Sequence, residues 1–183
     1  MLLVSSRSER DEMTRIPLLT SKDGLSDQQQ SVFDWVVESR GRMLRPYEVL
    51  LHTPGLAQPA AELGHQIRYE GQLSGHDREL AIITAAKVLD CAFEWDSHVG
   101  LAREAGVEER AITFLESGEG ELTEGEEIVV GFVRELAANN DVSDARFAAA
   151  EKSLGGSGPV VELSALVGYY TFLGYVMKVG GAC

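Results

Sequence analysis

Three times in this chain a hydroxyl residue stands three positions before a side chain that can complete a helix cap, and apolar residues at helical spacing follow. Ser26-x-x-Gln29 leads into Phe33, Val36 and Val37. Ser74-x-x-Asp77 leads into Leu80, Ile83 and Ala86. Thr123-x-x-Glu126 leads into Ile128, Val129, Phe132, Val133 and Leu136. In each cap the hydroxyl accepts from a backbone amide that the first helical turn leaves unpaired, and a residue such as Gln29 or Glu126 reaches back to the cap's own amide. No run of strict apolar–polar alternation lies between hairpin-type turns. The pattern therefore predicts an all-α fold, a compact multi-helix bundle.

The remaining punctuation agrees. Arg40-Gly41-Arg42 breaks the first helix, and Pro46 to His52 forms a short apolar turn that stops before Pro54. Leu56, Ala60, Leu63 and Ile67 mark an amphipathic helix that ends near Gly71. Asp90 reads as the N-cap of a helix from Cys91 to Ala105, closed by Gly106. Ser143 opens a short alanine-rich helix that stops at Gly155-Gly156. Pro159 opens the last helix, which runs to about Val179. Residues 1–25 are polar and aperiodic and read as a flexible N-terminal arm, so residues 26–183 form one helical domain.

Hydrophobic residues make up 44% of the chain, enough for a core at this length, and the net charge is −13. That charge opposes nucleic acid and offers no basic patch to an anionic membrane. The longest uncharged stretch, Leu163 to Met177, is 15 residues, which reads as too short to span a bilayer. The charged N-terminus lacks the apolar run of a secretory signal. Cys91 and Cys183 alone make no disulfide framework. The expected location is cytoplasmic, with reduced thiols.

One segment concentrates chemistry. In Asp90-Cys91-Ala92-Phe93-Glu94-Trp95-Asp96-Ser97-His98, spacings of three and four place Cys91, Glu94 and His98 on one helical stripe. Ala92, Trp95, Val99 and Ala102 form the adjacent apolar stripe, so the polar one borders the core. Carboxylate and imidazole pKa values move toward neutrality in such a place. With Asp90 as cap, the helix dipole would favour a thiolate at Cys91. A plainer reading stays open: Glu–His pairs at this spacing are common on exposed helices, and a lone cysteine often only fills space.

Here the chain resembles the carboxymuconolactone decarboxylase-like superfamily, with its alkylhydroperoxidase-D-like fold. The resemblance rests on Arg78-Glu79-Leu80-Ala81-Ile82-Ile83, then Glu94-Trp95-Asp96-Ser97-His98, then Ala102 to Gly106-Val107. Weaker flanks extend it, from Arg40-Gly41-Arg42 to His52-Thr53-Pro54-Gly55 before and from Leu163 to Tyr169-Tyr170 after, so that it spans roughly Ser26 to Val179. In the hydroperoxidase branch a glutamate precedes the first cysteine of a Cys-x-x-Cys pair by twelve positions, as Glu79 precedes Cys91, and a histidine follows, as His98 does. Glu94 stands at the second cysteine's place, so no two-cysteine cycle is possible within this motif. Glutamate there is what the decarboxylase-like branch commonly shows.

The resemblance implies catalytic roles for Glu79, Cys91, Glu94 and His98 in proton transfer on a small carboxylate or lactone. It implies no metal and no organic cofactor. His98 would be a general acid oriented by Glu94, Glu79 would position His98 or a bridging water, and Cys91 would be a pocket residue or spectator. Arg40, Arg42, Arg45 and Arg68 are candidates to hold an anionic substrate. A thiol peroxidase using Cys91 is the alternative, and a non-catalytic oligomeric binding protein the second. His52, His65 and His76 lack metal-ligand spacing. Tyr169, Tyr170 and Tyr175 read as packing or oligomer contacts. The partners expected are a small-molecule substrate and further copies of the chain, as a homotrimer or hexamer.

Overall fold

A computed structural model describes residues 14–183, so the first thirteen residues of the expected arm lie outside the described residues. The described residues are helical and contain no strand. They fall into two compact units. One runs up to His65 and resumes at Tyr175–Cys183; the other is Gln66–Gly174.

The first unit holds α1 (Asp27–Arg40), α2 (Arg45–Leu50) and α3 (Pro54–His65). The Ser26–Gln29 capping box forms as expected, and Gly41 closes α1 in the left-handed region, at φ 76°. The amphipathic reading of this stretch holds for Ala60 and Ile67, which are buried, but not for its two leucines. Ala57, Ala60, Ala61 and Gly64 are buried, whereas Leu56 and Leu63 are each 49% exposed. The small residues let α3 pack against α1, and Arg40 seals the contact by donating to the Ala61 carbonyl at 3.1 Å. Residues 14–25 contribute Leu18 and Leu25 to the buried set, and Arg15 N donates to Gly180 O at 2.8 Å.

The second unit is built around α4 (Gly75–Val88), against which α5 (Ala92–Glu104), α6 (Glu109–Ser117) and α7 (Glu124–Asn139) pack. Every residue from Glu79 to Ala86 is buried, so α4 is enclosed on all sides over two turns. α8 (Asp144–Leu154) packs on α7, and α9 (Ser157–Gly180) follows. A π-helical turn, Gln66–Glu70, precedes α4. The Glu162 carboxylate of α9 accepts from the amides of Gln72 and Leu73 at 2.6 and 3.1 Å, fastening α9 to the entry of α4. A side chain at Gly71 would collide with that carboxylate.

Two expectations change. α9 is 24 residues long, because its uncharged stretch is extended by flanking turns that include Glu162 and Lys178. By length and composition it could cross a membrane, and half of its most apolar window is buried. Asp90 does not cap α5. It lies in the left-handed region, at φ 50°, and the N-cap is Cys91, which makes no side-chain cap bond. The reversal between α4 and α5 needs one residue at positive φ, and aspartate tolerates it better than most side chains. α6 was not anticipated; its signal is the buried set Ala111, Ile112 and Leu115.

At the start of α7, Thr123 accepts from Glu126 N, while the buried Glu126 carboxylate accepts from Thr123 N at 2.7 Å and from Arg110 at 2.7 Å. Replacing Thr123 by Ala removes one cap acceptor. The expected loss is about 1 kcal/mol, or roughly 3 °C in Tm, read by thermal melting followed at 222 nm. An unchanged Tm would show that the cap contributes nothing.

Candidate functional site

Within the second unit, the chain reverses through Leu89, Asp90 and Cys91, and Cys91 N donates to Ala86 O at 3.0 Å. α5 therefore returns along α4. That return places His98, on α5, beside Glu79, near the start of α4. His98 Nδ1 lies 2.8 Å from Glu79 Oε2. Glu94, one turn before His98, puts Oε2 3.6 Å from His98 Nε2. Tyr170 of α9 sets its hydroxyl 3.5 Å from the same nitrogen, with its ring edge-on to the imidazole. Glu79, Glu94 and His98 are all at most 5% exposed. Arg68, from the π-helical turn, and Arg78 approach Glu79 Oε1 at 3.7 and 3.8 Å.

The electrostatics assign protons. Burial acts to raise the Glu79 carboxyl, but the hydrogen bond from His98 and the nearby positive groups outweigh it and hold Glu79 below the ordinary carboxylate value. Burial lowers His98, and although Glu79 opposes this, the net direction is down, toward the neutral ring. An ionised Glu79 can only accept, so Nδ1 carries the proton and Nε2 keeps a lone pair. Glu94 behaves differently: burial pushes its carboxyl up to about 7, with Arg68 a smaller opposing influence. Its Oε1 is buried and has no hydrogen-bond partner among the described residues. Two carboxylates in one cluster thus hold different protonation states near neutrality, the arrangement that separates acid from base roles.

Three of the four residues singled out in the sequence therefore meet. Glu79, expected to position His98 or a bridging water, contacts Nδ1 directly, while Glu94, expected to orient the ring, lies on the Nε2 side at the longer distance. Cys91 stands apart as the buried N-cap of α5, bordering a surface pocket of about 310 Å³ with Lys87, Trp95 and Asp96. Neither cysteine is a free thiol, since both are disulfide-bonded. The expected thiolate at Cys91 is thereby overturned, along with the expectation of reduced thiols. Of the candidate arginines, Arg68 joins the cluster. The other histidines serve elsewhere: His52 contacts Pro17 O at 2.8 Å, His65 packs edge-on against Trp35, and His76 lies between Asp77 and Glu126. Among the described residues no group of three His, Cys, Asp or Glu side chains is placed to hold a metal ion. Sequence reasoning gave Tyr170 a packing role and Arg78 none. The available signal for Tyr170 was a hydroxyl inside the buried stripe of Leu163, Leu166, Val167, Leu173 and Met177.

Glu94 yields a stability prediction. Its folded value, about 7, exceeds the ordinary 4.5, so the folded state binds this proton more tightly and stability falls as pH rises through that window. The cost above pH 7 is about 3 kcal/mol. Glu94→Gln removes the titration. Relative to wild type, the variant gains stability between pH 5 and pH 8 by an amount of this order, measured by urea denaturation at both values. An equal difference at both pH values would contradict the assignment.

Residues 54–117 match the family model of the Carboxymuconolactone decarboxylase family. The match holds all four expected site residues, while the flanks before Pro54 and after Ser117 lie outside it. No curated protein is similar enough to the chain to count as a match. Residues 54–117, which carry Glu79, Cys91, Glu94 and His98, are thus the part of the chain that is similar to the Carboxymuconolactone decarboxylase family.

Proposed function

We propose that the Glu79–His98–Glu94 cluster performs proton transfer on a small carboxylate or lactone, of the decarboxylase type. The family match supports a decarboxylase- or hydroperoxidase-type function in general. The observation that carries the finer reading is the asymmetric clamp on His98, with a carboxylate at 2.8 Å on Nδ1 and a proton-holding carboxyl on the Nε2 side.

The step follows from that asymmetry. When the bond from a substrate carbon to its carboxylate breaks, carbon dioxide leaves and the electron pair spreads into an adjacent carbonyl. The resulting carbanion equivalent needs one proton. Glu94 supplies it, since it keeps its proton up to about pH 7. Nε2 of His98 then takes up one proton from bulk solvent and returns it to the Glu94 carboxylate, so each turnover consumes one proton overall. Ionised Glu79 stabilises the imidazolium that forms in between, as a buried carboxylate does for any histidine that cycles its charge. Arg68, beside Glu79, contributes positive charge toward an anionic substrate.

Carbon dioxide release from a panel of small carboxylated lactones tests this reading. His98→Gln and Glu94→Gln each lower kcat by roughly 10²- to 10⁴-fold, Glu79→Gln lowers it by a comparable factor, and Cys91→Ser is tolerated. Full activity in His98→Gln would sink the proposal.

One observation favours a second reading, thiol peroxidase chemistry at Cys91. Cys91 is already in the disulfide state that such a cycle would produce. After reduction of the protein, peroxide consumption that disappears in Cys91→Ser would establish it in place of the first.

We further propose that the chain works as a homo-oligomer, a trimer or hexamer. Val161, Tyr175 and Val179, each more than half exposed on α9, support this as apolar surface open to a second copy. Sedimentation velocity gives the mass. A monomer at all concentrations would refute it.

A further inference from the structure

The hydroxyl of Tyr170 sits on the one side of the His98 ring that Glu79 does not control. Glu79 fixes the Nδ1 proton, which leaves the Nε2 lone pair free to accept. Tyr170 Oη is 3.5 Å from Nε2, and the two rings stand at 89° with centroids 5.3 Å apart. Tyr170 is itself 3% exposed, and Tyr169 packs edge-on against it at 5.5 Å and 88°. Buried hydroxyls are placed where they find partners.

We infer that Tyr170 is a positioning residue for the Glu79–His98 pair: its O–H donates to Nε2, holds the imidazole in the Nδ1–H tautomer, and keeps the ring oriented with Nε2 on the side where Glu94 lies. This rests on the reading of His98 as the group that cycles a proton. The ring is gripped at both nitrogens, by Glu79 from α4 and by Tyr170 from α9. It cannot rotate without losing both contacts. A donor on Nε2 favours the neutral ring, because the protonated ring has no lone pair left to accept the bond. Tyr170 therefore acts in the same direction as burial and against Glu79. The other charged or titratable groups that face this ring are Glu94 on its own helix and Arg68 from the π-helical turn, with Arg78 one step removed beside Glu79.

The test is histidine ¹⁵N NMR on the full chain, with the His98 resonances identified by their loss in His98→Gln. In Tyr170→Phe the Nε2 resonance at neutral pH moves toward the position of an unbonded pyridine-type nitrogen, and the His98 midpoint rises by roughly half a unit. Placing 3-fluorotyrosine at position 170 strengthens the donor and moves the midpoint the opposite way. It decides the matter if Tyr170→Phe fails to fold. Tyr169→Phe, which keeps the packing but does not touch His98, leaves the midpoint in place. A purely structural Tyr170 would leave the Nε2 resonance and the midpoint unchanged in both the Phe and fluorotyrosine forms, and that result overturns the inference. Loss of turnover in His98→Gln is scored separately. Retained turnover there would overturn the functional reading while the tautomer data still decide the role of Tyr170.

Discussion

The hydrogen bond between Glu79 and His98 is the interaction on which the rest of the second unit depends. It joins the helix at the centre of that unit to the helix that folds back along it, and both partners are almost fully buried. A lone buried carboxylate would be expensive in such surroundings. His98 offsets that cost by donating Nδ1–H, and Arg68 and Arg78 stand close enough to offset more of it. Once Glu79 is ionised and bonded, the tautomer of His98 follows, and with it the direction in which a proton can leave or enter the ring.

Around this bond the helices are closely packed. α4 is buried on every side between Glu79 and Ala86, and α5 contributes Glu94, His98 and Ala102 to the interior. The price of this enclosure is Glu94, which has one carboxylate oxygen with no hydrogen-bond partner and a proton affinity raised to about 7. Natural interiors seldom keep such a group unless it is used. The cluster therefore combines one carboxylate held ionised with one carboxyl that keeps its proton up to about pH 7. They lie on adjacent helices and face opposite nitrogens of the same ring.

Much of this was legible in the sequence because it depends on local rules. The caps at Ser26, Ser74 and Thr123 form as their residue types dictate, since a cap is decided within four residues. Glu94 and His98 could be singled out because helical periodicity and the family block both point to them, and Glu79 through the resemblance alone. What failed depended on tertiary context. Leu56 and Leu63 look like core residues beside Ala60 and Ile67, yet α3 packs against α1 through Ala57, Ala60, Ala61 and Gly64 and leaves both leucines half exposed. Asp90 has the chemistry of a cap, but the tight reversal demands a positive φ there and passes the cap position to Cys91. That Glu79 positions His98 was among the expectations, but that its bond is the shorter one and that Glu94 lies on the opposite nitrogen was out of reach, because spacing along one helix favours the i, i+4 partner and only the packing of α4 against α5 reveals the distances. Tyr170 was hidden for a similar reason: its role depends on which nitrogen of a distant histidine its hydroxyl meets.

The central claim is a placement of protons, so locating them directly is the most decisive measurement. Neutron diffraction from deuterated crystals held at pH 6 should show a deuteron on His98 Nδ1 directed at Glu79, none on Nε2, and one on the Glu94 carboxyl. A deuteron on Nε2, with Nδ1 bare or Glu79 protonated, would contradict the account.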